Sequence, residues 1–140
     1  MRILVVDDEP ELLEPSIQLL RVALDADVRA VTSVDEAVLA LHGEPTDIVI
    51  ADIFLPLGDR PRELLGPRAR RYAENLAHLG GLVLLDEIDR LDPAPKVLAY
   101  TACTDFALLE VLGDRVTARV PKPCPADVLL QAVMDAARAS

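Results

Sequence analysis

The stretch ILVVDDEPELLE, residues 3–14, decides the fold of this chain. Four successive aliphatic residues are followed by three acids, Asp7, Asp8 and Glu9, and then by a segment of helical character. A short run that is apolar on successive residues is typical of a strand buried on both faces of a parallel sheet. Further runs of this kind lie at residues 28–31, 48–51, 97–100 and 116–120.

Segments with helical length and spacing separate these runs, at residues 11–24, 33–41, 82–91, 105–112 and 125–139. In the first segment, Pro15 predicts a kink or a late start, because an interior proline removes a backbone hydrogen bond. Ser33 and Glu36 form a capping box for the second segment. Strands that alternate with helices predict right-handed βαβ units, and therefore an α/β fold with a doubly wound parallel five-stranded sheet.

Length and composition place further bounds on the chain. Its 140 residues predict a single domain, and the 51% hydrophobic content argues against disorder. The net charge of −10 makes direct nucleic-acid binding improbable, since that affinity comes mostly from basic side chains that neutralise phosphates. Cys103 and Cys124 form no zinc or disulfide pattern, and the first apolar run is too short for a signal peptide or membrane span. We expect reduced thiols, no membrane association and a cytoplasmic location.

Polar side chains stand at the ends of four predicted strands: Asp7 and Asp8, then Asp52, Thr101 and Lys122. In such sheets, ligands bind beyond the carboxyl ends of the strands. Three carboxylates brought together repel one another. A bound Mg²⁺ removes that repulsion, because it takes carboxylate oxygens as ligands and keeps several waters. A solvated loop would explain Asp7 and Asp8 alone. The added acid and a lysine fixed between two prolines favour an aspartyl-phosphate site, because metal and ammonium neutralise phosphoryl oxygens while a carboxylate attacks.

Four stretches of the chain resemble the receiver domain of two-component response regulators, the CheY-like superfamily. They are ILVVDDEPELLE, DIVIADIFLP, GGLVLLDEIDRLDPAPKVLAYTA and RVPKP, in the order of that family. The resemblance covers nearly the whole chain and implies a (βα)5 flavodoxin-like fold, with residues 1–140 as a single receiver domain. It also implies phosphotransfer from a histidine kinase, a phosphotransfer protein or a small phosphodonor. A downstream protein target or output domain and a homodimer are the other partners expected.

The resemblance assigns roles at the acidic edge. Asp52 matches the phospho-acceptor, Asp8 and Asp52 match direct Mg²⁺ ligands, and Asp7 would contribute mostly through water. The backbone carbonyl of Phe54 would complete the protein ligands. The Phe54 side chain and Cys103 are expected near the mouth of the site, where Phe54 could hinder attack by water and lengthen the phosphorylated state.

The switch residues of the family match less completely. Thr101 resembles the hydroxyl that follows the phosphoryl group, and Lys122 the lysine that pairs with it. The Lys122–Pro123 bond is expected to be cis. Arg119 occupies the position of the usual switch tyrosine or phenylalanine. An exposed strand residue that pairs with acids is the favoured interpretation of Arg119, and the usual coupling is then altered or absent.

Compared with the family that the chain resembles, residues 58–79, here called the arginine-bearing segment, look like an insertion between the third strand and the third helix. The segment carries five arginines against three acids, so its charge is +2 while the remainder carries −12. Its second half, from about residue 67 to residue 79, has the apolar spacing of an amphipathic helix. Packing of this helix on its own domain is the favoured interpretation. The sharper hypothesis is that the arginines contact an acidic partner or cover the phosphorylation site.

Three other functions compete with the receiver interpretation. The stretch VLLDEIDRL resembles the acidic strand of AAA+ ATPases, but the chain lacks the Gly-rich phosphate loop that they need. A Mg²⁺-dependent phosphatase would need an aspartate two residues after its nucleophile, where Phe54 follows Asp52. The third is a receiver-like protein-binding module that is not phosphorylated and uses the arginine-bearing segment; Arg119 and this segment leave it open.

Overall fold

The computed structural model describes residues 1–55, 66–67, 80–102, 110 and 115–138. Its strands form one sheet in the order β2-β1-β3-β4-β5, and every pair is parallel. The α/β class and the five-stranded doubly wound sheet are therefore confirmed. Each strand agrees with its predicted run to within one residue at either end. The bounds are β1 Arg2–Val6, β2 Asp27–Val31, β3 Ile48–Ala51, β4 Lys96–Thr101 and β5 Val116–Pro121.

A 3-10 turn at Pro10–Leu13 precedes α1, and Pro15 lies in the first turn of that helix, so the predicted late start is confirmed. The side chain of Ser33 caps α2 by accepting the backbone N–H of Glu36 at 3.2 Å. Within the described part of the chain, no helix is long and apolar enough to cross a membrane. The α-helices are α1 Glu14–Leu24, α2 Val34–Gly43, α3 Gly80–Ile88 and α4 Ala126–Arg138.

The predicted bounds of α3, residues 82–91, are wrong at both ends. The helix already includes Gly80 and Gly81, before the predicted start, and both donate their amides to carbonyls of the loop after β3. It ends three residues earlier, where Asp89 and Arg90 form a turn. The predicted helix at residues 105–112, and nearly all of the arginine-bearing segment, lie outside the described residues.

Two hydrophobic layers cover the sheet, one on each face. Alternate residues of the central strands β1, β3 and β4 point to α1 and α4 on one side and to α2 and α3 on the other. These three strands are buried on both faces, as their sequences predict. The edge strands differ, because β2 exposes Asp27 and Arg29 while β5 exposes Thr117 and Arg119. The carboxyl ends of all five strands open on the same side.

Candidate functional site

Asp7 and Asp52 lie side by side directly after β1 and β3. The register pairs Val6 with Ala51, and the Asp52 amide donates to the Val6 carbonyl at 3.2 Å. Both acids are buried, with relative exposures of 1% and 5%. Strand alternation puts them on the sheet face that carries α1 and α4. The sheet therefore holds two adjacent carboxylates inside the protein, where burial penalises unpaired charge.

Lys122 supplies the opposite charge. Its Nζ lies 2.6 Å from Asp7 Oδ2 and 3.1 Å from Asp52 Oδ2. The Lys122–Pro123 peptide is cis, as expected. Burial lowers the pKa of Lys122, but hydrogen bonds to Asp7 and Asp52 outweigh it and raise that pKa above its ordinary value. Lys122 is therefore charged at neutral pH and bridges the two buried acids.

Asp8 completes the acidic cluster from the solvent side. It is exposed, and one carboxylate oxygen from each of Asp7, Asp8 and Asp52 lies within 4.8 Å of the others. Mg²⁺ favours oxygen ligands and keeps several waters when proteins bind it. A cluster of three carboxylates, two buried and one facing water, fits those requirements.

The next residues in the chain fix the orientation of both buried carboxylates. The Glu9 amide donates to Asp7 Oδ1 at 2.8 Å, and the Phe54 amide donates to Asp52 Oδ1 at 3.0 Å. An aspartate carboxylate that accepts the backbone amide two residues later stabilises a turn. Each acid is therefore held at both oxygens, with Oδ2 on Lys122. The Phe54 side chain is 42% exposed.

The start of α3 packs directly against the loop that carries Asp52. The amides of Gly80 and Gly81 donate to the carbonyls of Leu55 and Ile53, at 2.9 and 3.0 Å. A Cβ on Gly81 would lie 2.6 Å from the Asp52 carbonyl oxygen and 2.5 Å from Ile53 Cα. Glycine is thus required at position 81 for this approach. The sequence analysis predicts a helix only from residue 82 and does not identify this contact of Gly81.

The remaining predicted site residues are Thr101, Arg119 and Cys103. Thr101 is buried at the end of β4, and its carbonyl accepts the Lys122 amide at 3.2 Å. Arg119 is exposed on β5, as its favoured interpretation requires. Cys103 lies outside the described residues.

Sequence reasoning missed Tyr100, whose ring centroid lies 5.6 Å from Lys122 Nζ. The alternation of β4, which places Leu98 and Tyr100 on the face of Asp52, was the available signal.

Comparison with known proteins adds the fold class. No family model and no curated protein matches this sequence. Solved structures do match, and they assign the chain the CheY-like receiver fold of response regulators. Since the identities are below 25%, the similarity is one of fold.

Three of these structures cover almost the whole chain. The signal receiver domain of a protein described as a LuxO repressor, from Vibrio parahaemolyticus, is 22% identical with a TM-score of 0.74, covering 98% of this chain and 89% of that one. A CheY-like receiver domain protein from Methanospirillum hungatei is 21% identical, with a TM-score of 0.74 and coverages of 97% and 92%. A LuxR-family DNA-binding response regulator from Staphylococcus aureus is 19% identical, with a TM-score of 0.73 and coverage of 98% for both chains.

Proposed function

We propose that this chain is a phospho-accepting receiver that takes a phosphoryl group onto Asp52 in the presence of Mg²⁺. The observation that carries this proposal is the bridge from Lys122 Nζ to both Asp7 and Asp52. It brings together, at one edge of the sheet, a carboxylate that would act as the nucleophile, an ammonium group and acids that would hold a metal ion. Carboxylates act as nucleophiles in phosphoryl transfer, and fixed positive charge stabilises the transferring group.

The acidic cluster is the proposed Mg²⁺ site. Asp8 and Asp52 would hold the ion directly, Asp7 through water, and the Phe54 carbonyl would complete the protein ligands. The ion would neutralise negative charge on the phosphoryl oxygens. The Lys122 ammonium already lies between Asp7 and Asp52. It would then bind the incoming phosphoryl group as well, through its positive charge.

Asp52 performs the chemical step in this proposal. One of its oxygens forms a bond to phosphorus while the bond from phosphorus to the donor breaks, and the donor leaves with that electron pair. The donor is the phosphohistidine of a kinase or phosphotransfer protein, or a small acyl phosphate. Because Phe54 and Lys122 hold Asp52 at both oxygens, its carboxylate is oriented before the donor arrives.

Signalling would follow from the new charge. We propose that Thr101 bonds to the phosphoryl group, and that the change reaches a downstream protein or output domain in the cytoplasm, with homodimerisation as one readout. Arg119 is exposed and carries a charge at the position of the usual aromatic switch. Burial of an arginine is costly, so the output of this chain would not depend on inward movement of residue 119.

The test is intact mass spectrometry after incubation with Mg²⁺ and acetyl phosphate. We expect the wild type to gain one phosphoryl group and Asp52→Asn to gain none. Asp135→Asn is the matched control, because Asp135 is exposed on α4. Its gain should equal that of the wild type. A folded wild type that gains nothing would refute the proposal and favour the protein-binding module that is not phosphorylated.

A further inference from the structure

An aromatic side chain, Tyr100, lies against Lys122 and has no role in the function proposed above. Lys122 Nζ sits 5.6 Å from the centroid of the Tyr100 ring. A cation within about 6 Å of a ring centroid is attracted by the negative face of the ring. Tyr100 is buried, so its ring is held in place by the core of the protein.

The sheet puts Tyr100 in the same row as the two buried acids. Register pairs Val6 with Ala51 and Ala51 with Ala99. One residue further along each strand, the row across the sheet is therefore Asp7, Asp52 and Tyr100. All three point to the face that carries α1 and α4, where the Tyr100 side chain belongs to the hydrophobic layer. Tyr100 is thus the neighbour of Asp52 on the side away from Asp7.

The outer end of the Tyr100 ring is tied to the loop that carries the lysine. Its hydroxyl lies in hydrogen-bonding contact with the backbone and the side chain of Cys124, two residues after Lys122. Burial is the main cause that raises the pKa of Tyr100, so the hydroxyl stays neutral at neutral pH and does not compete with the acids for Lys122. The Tyr100 side chain therefore contacts Lys122 with the face of its ring and Cys124 with its hydroxyl.

We propose that Tyr100 is a positioning residue of the phosphoryl site, whose ring holds the Lys122 ammonium over Asp7 and Asp52. This inference rests on the proposed function, because it concerns the lysine that serves the phosphoryl group. The chain has two tyrosines and no tryptophan. With arginine at position 119, β4 rather than β5 supplies the aromatic ring beside the lysine.

The first arm of the test compares two substitutions by the rate at which acetyl phosphate and Mg²⁺ phosphorylate Asp52. Tyr100→Phe keeps the ring and should stay within about 2-fold of the wild type. Tyr100→Leu removes the ring and should slow the reaction about 2- to 30-fold, which is the range for a cation over an aromatic face. Both are measured well below their melting temperatures. An unchanged rate in Tyr100→Leu, or equal losses in both variants, would overturn the proposal.

The second arm needs neither phosphorylation nor metal. In a Tyr72→Phe background Tyr100 is the sole tyrosine, so near-ultraviolet absorption and fluorescence report on its ring alone. Lys122→Met should shift both signals, because a charge 5.6 Å away perturbs the electronic transitions of the ring. Lys96→Met, which removes the other lysine of the chain, should leave them unchanged.

The two arms separate the possible failures. If the wild type takes no phosphoryl group, the proposed function fails, while the spectra still decide whether Tyr100 holds Lys122. If Tyr100→Leu does not fold, the spectra again decide. If Lys122→Met leaves the absorption and fluorescence of Tyr100 unchanged, the inference is overturned, whatever the phosphorylation rates show.

Discussion

Alanine at position 81 should damage both the stability of the protein and the geometry of the acceptor loop. The added Cβ would lie 2.5 Å from Ile53 Cα and 2.6 Å from the Asp52 carbonyl oxygen. Both contacts are with backbone, so neither can be relieved by turning a side chain. Forced contacts in a packed interior cost about 1–3 kcal/mol. Either α3 must move outward, or the Asp52–Ile53 peptide must shift and carry the acceptor with it.

Gly43→Ala is the matched control, because a Cβ there meets no atom within 4 Å and Gly43 lies in the last turn of α2. Alanine is favoured over glycine in a helix by up to about 1 kcal/mol. Urea unfolding should therefore show opposite signs, with Gly81→Ala less stable than the wild type and Gly43→Ala equally or more stable. Gly81→Ala should also slow phosphorylation of Asp52 under conditions where it is fully folded. Equal stabilities of the two variants would refute the close approach of α3 to the acceptor loop.

The remaining predictions concern pH, the mouth of the site and a helix cap. The pKa values of Cys124, Tyr100 and Lys122 are raised from 9.0, 10.0 and 10.5, so the folded state binds more protons than the unfolded state above those values. The free energy of unfolding should then fall as pH rises above about 9; a flat urea-unfolding profile from pH 8 to 11 would contradict this. Phe54→Asn should speed loss of the acyl phosphate, measured by mass after the donor is removed, and an unchanged lifetime would count against shielding by the ring. Ser33→Ala should cost about 1 kcal/mol in urea unfolding through loss of the α2 cap; no loss would show that the cap contributes nothing.

The strands and the acidic edge could be predicted because each depends on short-range sequence. A buried parallel strand needs an aliphatic run of a few residues, and residues 48–51 match β3 at both ends. Parallel strands bring their carboxyl ends to one edge, so the sequence predicts that Asp7, Asp52 and Lys122 meet there. Their hydrogen bonds bear this out.

Features that depend on contacts between distant segments could not be predicted in the same way. Gly80 and Gly81 of α3 are tied by their amides to carbonyls of the loop after β3. The helical spacing of the apolar residues at 84, 85, 88 and 91 predicts a helix only from residue 82. The contact of Tyr100 with Lys122 likewise depends on the path of the chain after β5. No periodicity within either strand encodes that path.

The most direct measurement is the position of the phosphoryl group in the chain. Borohydride reduction of an aspartyl phosphate yields homoserine, which peptide mass spectrometry can place at a single residue. After incubation with acetyl phosphate and Mg²⁺, we expect homoserine at position 52, and a loss of that signal when the metal is chelated or Lys122 is replaced by methionine. Homoserine at another aspartate, or no reducible phosphoryl group in the folded wild type, would contradict the assignment of Asp52 as the acceptor.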